Sequence, residues 1–81
     1  MADRMEYEIT DQDGGLVATA VGRVNAQYAM RTLLEEGSFT RLTATGTLIG
    51  CDEVERVIHH VEAHRLPDGA VSWQYPDGRA W

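Results

Sequence analysis

A chain of 81 residues, 43% hydrophobic and 25% charged, has the balance of one folded domain, too small to bury more than roughly 60 to 65% of the surface its unfolded chain exposes. Its net charge is −6, from thirteen acidic residues against seven arginines and no lysine. The arginines are scattered along the chain, so neither nucleic acid nor an anionic membrane is an expected partner.

The lone cysteine, Cys51, excludes an intrachain disulfide, and no apolar run is long enough for a signal peptide or a membrane span. The expected setting is therefore the cytoplasm. Self-association as a dimer is the natural remedy for so small a core. Arginine-only, Ala/Gly/Val-rich usage fits a GC-rich genome, with a phage or mobile element as one source.

From Arg4 to Thr10, Met5, Tyr7 and Ile9 alternate with polar residues, the period-2 pattern of a half-buried strand. "DQDGG" then reads as a turn and "LVATAVG" as a second strand, making a hairpin. Alanines 18 and 20 on that strand would let a helix approach closely. Asn25 is the predicted N-cap of a helix from Ala26 to about Glu36, with Gly37 at the left-handed position past its end. At roughly 100° per residue, Ala26, Ala29, Met30 and Leu33 share one stripe with Leu34 at its edge, and Tyr28 lies opposite, on the exposed side.

"FTRLTATGTLI" suits a strand, with Gly46 at a bulge or, alternatively, at a hairpin turn. In "DEVERVIHHVEAHRL", Asp52 and Glu55 resemble a capping box and Val54, Val57, Ile58 and Val61 form a helical stripe, so a second amphipathic helix is predicted here. Pro67-Asp68-Gly69 would join this helix to a strand carrying Val71, Trp73 and Tyr75. Pro76-Asp77-Gly78 would then turn a hairpin into "RAW".

Three groups of residues invite a chemical role. On a helix, His60 and His64 are four apart, a spacing at which two imidazoles reach one metal, with Glu53 on the same side. Glu53, however, is about 10 Å along the axis from His60, and solvated histidines near a helix C-terminus are the plainer alternative. Cys51 before a helix N-terminus could be an activated thiol, but His59 and His60 would stand roughly 12 to 14 Å away, so no base is at hand. The glycine stretches lack the phosphate-loop lysine and the dinucleotide fingerprint.

What remains is surface. Tyr28, Trp73, Tyr75 and Trp81 are the residues most like interface anchors, because aromatic side chains bring large contact area at modest entropic cost. The expectation is an α+β domain over 1–81, of order ββαβα plus a C-terminal β-hairpin, with a mainly antiparallel sheet and two helices on one face. Its expected role is non-enzymatic binding of another protein, a host protein included, as an acidic adaptor or inhibitor that uses no cofactor. A metal- or small-ligand module built on His60, His64 and Glu53 is one alternative. An acidic mimic of nucleic acid, which requires carboxylates gathered on one face, is another.

Overall fold

The alternation at the start of the chain builds β1 (Arg4–Asp11), which pairs antiparallel with β2 (Leu16–Val21). A computed structural model describes residues 3–37, 39–50 and 55–81, with backbone alone for 55–59. After β2 come α1 (Arg23–Glu35), β3 (Arg41–Ile49), β4 (Glu55–Arg65) and β5 (Val71–Gln74). The five strands form one sheet in the order β2-β1-β3-β4-β5, every neighbouring pair antiparallel. Because β1 lies between β2 and β3, those two run parallel, and α1 is the crossover that joins them.

One face of the sheet is apolar and carries the helix. Tyr7 and Ile9 of β1, Leu42 and Ala44 of β3, and Val61 and Ala63 of β4 are buried against Ala26, Met30 and Leu34 of α1. The register explains this set: Ile9 pairs with Ala44, and Ala44 with Val61, so one row of side chains runs under the helix. On β2, Ala18 and Ala20 pair with Ile9 and Tyr7 and join that face, as their small size suits. The residues between them, including Glu6, Glu8, Thr43 and Thr45, line the opposite face, which no helix covers among the described residues.

The first helix begins earlier than its cap signal suggests. Gly22, at φ 89°, occupies the N-cap position without a side-chain bond, and the Asn25 side chain instead donates to the Val21 carbonyl at 2.8 Å. At the other end Gly37 does take the left-handed conformation, φ 81°, and its amide donates to Leu34. Arg65, at the end of β4, also donates to the Leu34 carbonyl at 3.1 Å, placing a cation where the helix ends negative.

The expected second helix is a strand over Glu55–Arg65, and among the described residues the fold has one helix on a five-stranded sheet, not two. Asp52 of the supposed capping box, with Cys51 and Glu53, lies outside the described residues. A bulge accounts for the misleading pattern. Gly46 pairs with His59 but Thr47 with Val57, leaving Ile58 as an extra residue in β4. One inserted residue breaks the two-residue period, and the resulting apolar spacing of 54, 57, 58 and 61 imitates a helical stripe. Gly46 does mark an irregularity, and β3 runs straight through it without a hairpin turn.

Both Pro-Asp-Gly triplets are hairpin turns, so the first is not a helix-to-strand connection. Leu66 donates to Ala70 and Gly69 to Leu66; nine residues later Tyr75 donates to Arg79 and Gly78 to Tyr75, all at 2.8 or 2.9 Å. "DQDGG" repeats the pattern, with Asp11 donating to Gly15 and Gly14 to Asp11. The glycines at 14, 69 and 78 have φ of 83°, 90° and 89°, the left-handed step that ends such a three-residue loop. Aspartate carboxylates tie the loops: Asp68 accepts from the Ala70 amide and Asp77 from that of Arg79, a bond that holds the Asp77 carboxyl below its ordinary value.

Candidate functional site

Of the four aromatic residues singled out above, three gather on the helix side of the sheet. The turn at Pro76-Asp77-Gly78 brings Ala80 back to bridge Gln74 and the Trp81 amide to the Trp73 carbonyl at 3.3 Å. Trp81 is thereby buried, 8% exposed, with its ring 5.7 Å from that of Trp73 and from that of Tyr7. Trp73 and Tyr75 are half-buried against the same core. This cluster occupies the side of the sheet that a second helix was expected to cover. Its rim is basic: Arg23 lies over Trp81 and donates to the Trp81 carbonyl, Arg31 lies over Trp73, and Arg79 over Tyr75. Trp81 is thus buried within its own chain.

Tyr28 is different. It stands on the outer face of α1, 74% exposed, and Val24, one turn before it, is 76% exposed. Residues four apart on a helix are neighbours, so these two form a continuous apolar patch. Arg31, three residues on, flanks it with its guanidinium directed to the Trp73 ring.

His60 and His64 sit on the open face of the sheet. His60, Glu62 and His64 pair with Thr45, Thr43 and Arg41, and the Thr45 hydroxyl is 3.0 Å from the His60 ring nitrogen. On a strand, four residues span about 13 Å, so the spacing that would bring two imidazoles to one metal on a helix does not do so here. Among the described residues no group of three or more histidine, cysteine or acidic side chains is placed to hold a metal ion. Glu6 and Glu62 of the same face are each paired at 2.6 Å, with Arg4 and Arg41, so arginines are interspersed with these carboxylates. An open depression of about 330 Å³ lies beside them, lined by Glu6, Glu8, Thr19, Val21, Thr47 and Ile49.

Sequence reasoning missed the contrast between the two edges of the sheet. At β5 the returning residues Ala80 and Trp81 lie along the outer side. Along β2 no strand does so among the described residues. The available signal was composition: from Gly14 to Gly22 the chain has neither a charged residue nor a proline. The chain matches no protein-family model, no curated protein and no solved structure.

Proposed function

We propose that the protein is a non-enzymatic protein-binding module, an adaptor or inhibitor of a larger protein, whose contact face is the outer side of α1. The observation that supports this is the pairing of Val24 and Tyr28, two large apolar side chains about three-quarters exposed and one helical turn apart. Single exposed apolar residues are ordinary, but an adjacent pair with a tyrosine and a flanking arginine has the make-up of an interface anchor. Among the described residues no helix is long and apolar enough to cross a membrane. We place the module in the cytoplasm on its single cysteine.

The experiment is a pull-down with immobilised protein, followed by titration of the captured partner after purification. Val24→Asp and Tyr28→Ala should each weaken that purified pair by about tenfold or more while leaving the circular dichroism spectrum unchanged. Equal affinity for the wild type and both variants would remove α1 as the contact face.

A further inference from the structure

One end of the sheet is finished and the other is not. Ala80 and Trp81 cover the end of β5 on its outer side, whereas β2 has no strand beyond it among the described residues. The Gly22 amide donates to the Met5 carbonyl at 2.8 Å. By the alternation of an antiparallel ladder, the backbone groups of Ala18 and Ala20 then face β1, and those of Thr19 and Val21 face outward. Natural edges are kept apart by charge, proline or bulges. This one has no charge or proline between Gly14 and Gly22, and its register shift lies at the Ile9/Thr10 end, leaving Ala18 to Val21 regular. Leu16 and Val21 are 61% and 55% exposed along it.

We infer that β2 pairs with the β2 of a second copy of this chain, antiparallel about a two-fold axis at Ala20 that sets Thr19 of each copy opposite Val21 of the other, joining two five-stranded sheets into one. Three observations select a second copy as the occupant. An antiparallel pair of identical strands is self-complementary, since each offers the outward groups of Thr19 and Val21 to the other. Two chains of net charge −6 repel over most of their surface, yet along this stretch they meet with no charged side chain between them. With the end of β5 covered at Trp73 and Tyr75, β2 is the longer free edge among the described residues, which favours a closed pair over a filament.

The interface is separate from the Val24–Tyr28 patch, and the test distinguishes the two. In light scattering coupled to gel filtration, backed by sedimentation equilibrium, the wild type should have twice the 9.0 kDa chain mass. Val21→Lys, at an exposed side chain, should weaken the dimer by about tenfold or more. Thr19→Pro, which removes an outward-facing amide, should do the same, and Tyr28→Ala should leave the dimer intact. A wild type at the chain mass at every concentration, a Val21→Lys variant that dimerises as tightly as wild type, or dissociation by Tyr28→Ala would each overturn the inference. Val21→Lys keeps the test decisive even if the proline variant fails to fold.

Discussion

The Trp81 ring stands 5.7 Å from the Tyr7 ring and 5.7 Å from the Trp73 ring, tilted by 52° and 56°. One residue near the C-terminal turn therefore closes the core over β1 and β5 together. Trp81→Ala should cost about 3 to 5 kcal/mol of stability, measured by urea unfolding, as for other buried aromatics cut to alanine. Trp81→Phe should cost much less than its volume loss suggests. The buried indole nitrogen has no hydrogen-bond partner among the described residues, and removing it relieves a desolvation penalty of about 1 to 3 kcal/mol. Equal losses for both variants would count against this account.

The three hairpin turns make a matched set. An added Cβ at Gly14, Gly69 or Gly78 meets nothing within 4 Å, so alanine there is opposed by backbone conformation alone. Each single glycine-to-alanine change should cost about 1 to 2 kcal/mol. Gly78→Ala should in addition red-shift tryptophan emission, because that turn returns Trp81 to the core. A much larger loss at one turn than at the others would mean that its surroundings, and not φ, set the cost.

Burial, reinforced by Tyr75 and opposed by Arg23, raises the Tyr7 phenol above its ordinary 10.0. As pH rises, the unfolded chain loses this proton before the folded one does. The stability linked to Tyr7 is therefore complete below about pH 10 and is lost as pH climbs through the folded value. Urea midpoints should fall on the alkaline side more steeply for wild type than for Tyr7→Phe. Parallel curves for the two proteins would exclude Tyr7 as the group responsible.

His60 and His64 share the open face of β4 with Glu62 between them. At strand spacing they should not act together on one ion. Zinc or nickel should therefore raise the melting temperature of wild type no more than that of His60→Ala/His64→Ala. A saturable rise lost in the double variant would show that the two converge on a metal after all.

The legible parts of the fold are those where a local period runs unbroken. Met5, Tyr7 and Ile9 keep strict alternation along β1, and of the helical stripe Ala26 and Met30 are buried and Ala29 and Leu33 half-buried, while Leu34, at its edge, is buried completely and Tyr28 lies opposite. β4 misleads because Ile58 is inserted against β3, and a shifted two-residue period looks helical over a short run. Its valines and isoleucine, stiff β-branched residues, were the countersignal. Exposure of Tyr28 could be read from one helix, whereas burial of Trp81 depends on β1, which is distant in sequence. The bare edge was hidden for a similar reason: "LVATAV" announces a strand, but only the order β2-β1-β3-β4-β5 shows that it ends the sheet.

The same order divides the folding reaction into fast and slow events. β1 with β2, and β4 with β5, are joined by three-residue loops and can zip in about 1 to 10 μs. The seam between β1 and β3 has no such shortcut, since α1 must first carry the chain across β1. Its loop-closure entropy falls due before any ladder bond forms, so the barrier should lie in docking the N-terminal ββα unit onto β3. Substitutions along that seam, such as Ile9→Val against Ala44, would then slow refolding in stopped-flow measurements, while the turn glycines would act mainly on the rate of unfolding.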